Sequence, residues 1–228
     1  MDKKPLLLAL RAVAIVGTWL ISACTGHVEN GKAPVDQFMA ALASHCGKAF
    51  AGKVTVNEPS SSVRDPFEGV QPVLHVRGCD APTRQIHMPL HVGDDHSRAW
   101  SFTRTGEGLR FRHYQWRADG TPDAVSDFGG TTVTPGTAVL QKFPVDAESI
   151  RIFRDIGLPA SLENGWTVEL HPQQRFSYEL SRPDGRVFRV EFDLSRPVAL
   201  PSASWGDIPA VAVPAGLPAG GPAATVGP

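Results

Sequence analysis

Cysteine is scarce in this sequence, with three among 228 residues, and no two of them stand in a Cys-x-x-Cys pair. Dithiol redox sites and zinc ribbons are built on that spacing, so neither is expected. Charge of one sign is lacking too, since 22 basic residues face 23 acidic ones. Arg110, Arg112 and Arg117 lie close together, but no basic run follows the pattern of a phosphate-binding stretch, and a nucleic-acid partner is not expected. The longest apolar stretch, Pro5 to Ala23, is broken near its middle by Arg11 and falls short of the roughly 20 apolar residues that cross a bilayer. Gly-x-Ser-x-Gly, His-Glu-x-x-His, a Walker loop and Gly-x-Gly-x-x-Gly are all missing; Gly106-x-Gly108 lacks the third glycine and opens a strand. Neither catalysis nor a cofactor is therefore expected.

What is present begins at the N-terminus. Lys3, Lys4 and Arg11 precede Ala12 to Ala23, an uncharged, mostly apolar stretch with the length of a signal h-region. It ends in Ile21-Ser22-Ala23-Cys24, which resembles the lipobox of bacterial lipoproteins. That resemblance implies removal of residues 1–23, lipid attachment at Cys24 with further acylation of its new amine, and a periplasmic location held to the membrane by several acyl chains. Two or more chains give stable anchoring where one gives only marginal binding, at about 0.8 kcal/mol per buried methylene. Thr25 stands where members retained at the inner membrane often carry Asp, so the resemblance favours the outer membrane. Residues 24–33 are small and polar, as suits a tether.

Loss of residues 1–23 removes three of the 22 basic residues and one of the 23 acidic ones, leaving a net charge of about −3. The remaining chain is long enough for one domain, 34–206, with a sizeable core. In an oxidising compartment the isolated pair Cys46 and Cys79 is expected to form a disulfide, and closing a loop of about 33 residues would stabilise the fold by roughly 3–4 kcal/mol. From 207 to 228 the composition reduces to Ala, Gly, Pro and Val, with five Pro and four Gly, and reads as a disordered tail.

Between these ends the apolar period changes from helical to extended. Val35, Phe38, Met39, Leu42 and Cys46 recur at three and four residues behind Pro34 and before Gly47, which predicts a helix over 34–46. Strict alternation follows, in Leu74/Val76, in Ile86/Met88/Leu90/Val92, in Trp100/Phe102, and again in Trp166/Val168/Leu170, Phe176/Tyr178/Leu180 and Phe188/Val190/Phe192/Leu194. Short strands flank Pro135-Gly136, and one internal helix is predicted over 146–156. About eight short strands separated by turn chemistry, with one N-terminal and one internal helix, predict a mainly β fold, an antiparallel barrel or sandwich; local hairpins favour an up-and-down barrel.

Two stretches invite a chemical reading. His91, Asp94, Asp95 and His96 could surround a cation at a turn, but a solvated hairpin loop is the simpler reading and no metal is expected. The strand Leu109-Arg-Phe-Arg-His-Tyr-Gln-Trp-Arg117 mixes polar and aromatic residues on both faces. Either it turns Phe111 and His113 inward toward a cavity, or, as preferred, a bulge near Arg112 resets the register so that Phe111, Tyr114 and Trp116 face the core and His113 is exposed. Phe111, His113, Tyr114 and Trp116 are the candidate ligand-binding residues. The expected role is binding of a small apolar or amphipathic molecule inside the barrel; the alternative is a structural or interaction lipoprotein of the envelope with a filled core. Labelling with a radioactive fatty acid is expected to mark the wild-type chain and not Cys24→Ser; equal labelling of the two would refute acylation at that residue.

Overall fold

The computed structural model describes residues 32–59 and 66–207, so the signal-like segment, Cys24 and most of the expected tether and tail lie outside the described residues. Helix α1, Pro34–Ala43, starts on the proline and buries Val35, Phe38, Met39 and Leu42 along one face. It stops three residues short of Cys46 because Ser44–Gly47 form a turn ended by Gly47 at φ +79°, a conformation that only glycine adopts without strain.

Ten strands follow rather than about eight. They are β1 (Lys48–Glu58), β2 (Pro72–Val76), β3 (Gln85–Val92), β4 (Asp95–Arg104), β5 (Leu109–Gln115), β6 (Phe128–Thr131), β7 (Leu140–Pro144), β8 (Gly165–His171), β9 (Arg175–Ser181) and β10 (Val187–Val198). The short strands expected on either side of Pro135-Gly136 are β6 and β7, and the strand with no alternating set of residues to mark it is β1, whose burial pattern is irregular beyond Gly52. Helix α2, Ala147–Asp155, lies between β7 and β8. Single 3-10 turns occupy Pro159–Glu163 and Trp205–Asp207.

All ladders are antiparallel, and the sheet order is β6-β5-β4-β3-β2-β1-β10-β9-β8-β7. Strands adjacent in the chain are thus adjacent in space, and β1 meets β10. The two edges, β6 and β7, are themselves consecutive and are joined by a bridge between Gly130 and Val145. The fold is an up-and-down barrel, closed except for this thin seam. Its interior is aromatic: Phe102, Phe111, Phe143 and Phe176 are fully buried, each stabilising the fold by about 1.5–3 kcal/mol relative to exposure. Helix α1 lies across one end of the barrel against β4 and β8, with Phe38 5.9 Å from Phe102 and Asp36 paired with Arg104. The Cys46–Cys79 disulfide joins the turn after α1 to the β2–β3 connection at the same end.

The seam lacks an ordinary ladder for a chemical reason. Pro144 has no N–H to offer, and the strands approach so closely that a Cβ on Gly130 would lie 2.1 Å from the Pro144 carbonyl oxygen. The start of α2 supplies the missing partners. Ser149 Oγ accepts from the Gly129 N–H at 2.7 Å, and the Gly129 carbonyl accepts from the Asp146 N–H at 3.2 Å. Asp146 caps α2 by accepting from the Ser149 N–H at 2.9 Å. Arg112, its side chain 5% exposed on β5, reaches over to donate to Ser149 Oγ at 3.0 Å and to pair with Asp146 at 2.9 Å and Glu148 at 2.6 Å.

Removing the hydroxyl should strand a buried N–H, so Ser149→Ala is expected to cost about 1–3 kcal/mol in urea unfolding. An unchanged urea midpoint would show that the seam does not depend on it. Burial alone would raise the Asp146 carboxyl, but the bonds from Ser149 and Arg112 outweigh it and hold the group below the usual carboxylate range. A depressed native pKa stabilises the fold above the unfolded value of about 3.9 and loses that contribution as pH falls through the native value. Wild-type stability should therefore fall more steeply below about pH 4 than that of Asp146→Asn.

Candidate functional site: a cavity at the open end of the barrel

Aromatic side chains fill the half of the barrel next to α1, but not the other half. There a cavity of about 260 Å³ lies between the strand ends and the cap formed by α2 and the turn 158–161. Its wall includes Trp100 from β4, His113 from β5, Phe128 from β6, Trp166 from β8, Tyr178 from β9 and Phe188 from β10, with Phe153 and Leu158 above. These come from inward positions of strands whose alternation buries every second residue, which is why distant segments meet there.

The bulge expected near Arg112 is absent. Strands β4 and β5 pair without a shift from Arg98–Gln115 to Arg104–Leu109, so alternation holds and Phe111 and His113 both point inward. The mixed composition of β5 has another cause, namely that its outer face is covered as well. Arg110 and Arg112 turn out toward the carboxylates of α2, while Tyr114 and Trp116 stack on each other at 5.7 Å under residues near the C-terminus. A Cβ on Gly206 would lie 2.6 Å from the Trp116 ring, so the chain after β10 runs directly over it.

The four candidate residues are thus separated by the fold. His113 lines the cavity and Tyr114 touches its edge; Phe111 sits beneath His113, ring centroids 4.7 Å apart, inside the filled half. Trp116 is on the outside of the barrel and contributes nothing to the cavity wall, contrary to the core position expected for it. The sequence identifies Trp100, Trp166, Phe128 and Tyr178 only as strand residues, since nothing local marks them as mutual neighbours.

One chain of hydrogen bonds orders the polar part of the wall. The Phe128 carbonyl lies 3.3 Å from His113 Nδ1 and can only accept, so Nδ1 carries the proton. Nε2 is then the acceptor for the Tyr178 hydroxyl at 3.0 Å, and the Tyr178 oxygen in turn accepts from Trp166. This order requires a neutral imidazole. Burial pushes the His113 pKa down to about 3, reinforced by the Arg112 charge and only partly opposed by the Phe128 carbonyl. Phe128 stacks on the ring at 4.7 Å with planes 6° apart, and Trp100 stacks on Tyr178 at 4.5 Å. The polar atoms in this chain of bonds are satisfied by one another, and the stacked rings present aromatic faces to the cavity. The arrangement can hold an apolar body.

The histidine-rich stretch lies elsewhere, on the outer face of β2 to β4. The turn is confined to Gly93-Asp94, and Asp95 is already in β4, accepting from the Ser97 N–H at 2.9 Å and pairing with Arg98. His91 is 4% exposed and lies 4.7 Å from the His96 ring, so it is buried rather than in a solvated loop. Burial, then the neighbouring His96 and His75, push its pKa down to about 4. Among the described residues no group of three His, Cys, Asp or Glu side chains is arranged to hold a metal ion. The cover is the segment after β10, where the Ala203 carbonyl lies 3.3 Å from His96 Nδ1 and Asp207 pairs with Arg77 at 2.6 Å. Asp207, placed by composition at the start of a disordered tail, is held in the fold.

A neutral buried histidine makes stability depend on pH. Between about pH 6.5 and its native pKa near 3, the unfolded chain takes a proton on His113 that the folded chain refuses, so stability falls as pH drops through that window. His113→Gln should flatten the dependence between about pH 6.5 and 4 without abolishing it, since buried His91 contributes in the same direction. An unaltered slope would show that His113 is not held neutral. His113→Ala should cost about 1–3 kcal/mol through the orphaned Tyr178 hydroxyl and Phe128 carbonyl.

No family model matches the chain, and no curated protein matches it. A solved structure of a redesigned β-barrel is similar at 10% identity, covering 67% of this chain and 94% of that one with a TM-score of 0.30. The barrel assignment rests on the strand register of this chain alone.

Proposed function

We propose that this chain is a lipid-anchored protein of the bacterial cell envelope, held at the periplasmic side with the outer membrane favoured over the inner, that binds a small apolar or amphipathic molecule inside its barrel. The anchor rests on the lipobox-like residues ending in Cys24 and on the signal-like segment before them. None of the described helices is long and apolar enough to cross a membrane. The binding role rests on one observation, the cavity of about 260 Å³ walled by Trp100, Phe128, Trp166 and Phe188. An apolar cavity of about 150 Å³ is enough to take up benzene, so this one suits a molecule of roughly twice that size. Such a site follows the general pattern of ligand pockets, a mostly apolar wall with a few placed polar groups. The alternative structural role would call for a filled interior and a contiguous apolar patch outside. Among the described residues the large exposed apolar side chains are Val133, Val139, Val198 and Leu200, and a few exposed apolar side chains are ordinary on a protein surface.

The test is a native mass-spectrometry and thermal-shift screen of the purified chain against small aromatic compounds, medium-chain amphiphiles and lipid fragments, with tryptophan emission recorded in parallel. A ligand present at a hundred times its Kd should stabilise the fold by about 2.7 kcal/mol, a shift of several degrees, and should perturb the emission of Trp100 and Trp166. Absence of bound species, shift and spectral change across the panel would leave the structural role standing.

A further inference from the structure

The wall of the cavity and its rim differ in charge. Among the residues that line it, the charged ones are Arg98 and Arg182, and there is no Asp or Glu. Arg98 is already neutralised by its ion pair with Asp95. Arg182 is not: its Nε donates to Asn164 Oδ1 at 2.6 Å, and no carboxylate among the described residues pairs with its guanidinium. Asn164 is itself 6% exposed, and its backbone carbonyl is tied to the Val145 N–H, so the group that orients Arg182 is fixed. The backbone of Arg182 is held in turn by the β9–β10 hairpin, through bonds with Arg186 and Gly185. The result is a half-buried cation, aimed by a rigid partner, at the edge of an aromatic cavity, with its two terminal nitrogens free of any protein acceptor among the described residues.

A guanidinium held by Nε offers those terminal N–H groups as a fork that matches a carboxylate. The wall, by contrast, has turned its polar atoms on one another and offers a ligand mainly ring faces. We infer that the cavity takes an amphipathic carboxylate, its apolar body against Trp100, Trp166 and Phe128 and its head at Arg182. This rests on the reading that the cavity is a binding site. The charge of Arg182 already reaches inward: burial raises the Tyr178 hydroxyl far above its ordinary range, and Arg182 pulls in the opposite direction.

The experiment is isothermal titration of the purified full chain with octanoate and with 1-octanol, which share an apolar body and differ in the head. Octanoate should bind about tenfold more tightly, the advantage of a charge-assisted bond at a partly wet rim. Raising the salt from about 20 mM to about 500 mM should shrink that advantage while leaving octanol unmoved. Arg182→Gln should bring the two ligands within about twofold by weakening octanoate alone. Octanol binding as tightly as octanoate to the wild type, or an octanoate advantage that persists in Arg182→Gln, would overturn the assignment and leave barrel binding intact. Binding of neither would overturn both.

Discussion

The Ser149 hydroxyl sits where the barrel would otherwise come apart. Strands β6 and β7 are consecutive in the chain yet cannot form a ladder, because Pro144 has no donor and because Gly129 and Gly130 are squeezed against backbone on either side. The backbone groups of Gly129 that face the seam must still find partners, and a buried pair left unmade would cost more than the fold gains from most single contacts. Ser149 and Asp146 provide them, and Arg112 locks both in place. The barrel is therefore closed by a helix N-terminus in place of a strand, and the remaining architecture follows from where that helix has to lie.

Once α2 is tied to the seam, its C-terminal half and the turn that follows are carried over the open end of the barrel, bringing Phe153 and residues 158–161 above the cavity. The cavity thus has two kinds of wall. Strand residues around His113 are set by register, whereas the cap is set by the seam network some distance away. Helix α1 closes the opposite end with apolar side chains, Phe38 packing directly on Phe102. This asymmetry explains why one half of a uniformly aromatic barrel is filled and the other is not. At the α2 end the cap packs on the barrel through Phe153, 5.2 Å from Phe128, and the cavity lies beside that contact.

Much of the fold was legible because half-buried strands display their inward face every second residue. The stretches 85–92, 166–170, 176–180 and 188–194 read as strands from that signal, and Pro34 and Gly47 mark the ends of the N-terminal helix segment. The Cys46–Cys79 pairing follows from there being no other cysteine in the domain. The candidate site was far less legible. His113 takes its character from Tyr178, 65 residues away, and from Phe128, neighbours that depend on strand order and not on any local pattern. Arg182 carries no sequence signal at all, being one arginine before a Pro-Asp-Gly turn.

The departure of β5 from the expected register has a specific physical origin. Alternation separates polar from apolar residues only when one face of a strand meets water and the other meets the core. Strand β5 meets the core on one face, and on the other it meets first α2, which brings carboxylates, and then, just past its end at Trp116, the backbone of the segment after β10. Arginines opposite the acidic start of a helix and aromatics under a crossing segment are both correct choices for a covered outer face, yet together they read as a broken pattern. A bulge is one way to restore the pattern; cover on the outside removes the need for it. The same cover accounts for the histidines of β3 and β4, and for Asp207, whose pair with Arg77 fastens the covering segment across the sheet. Composition alone places that residue in the tail, because a single charged anchor is invisible in a stretch otherwise made of Ala, Gly, Pro and Val.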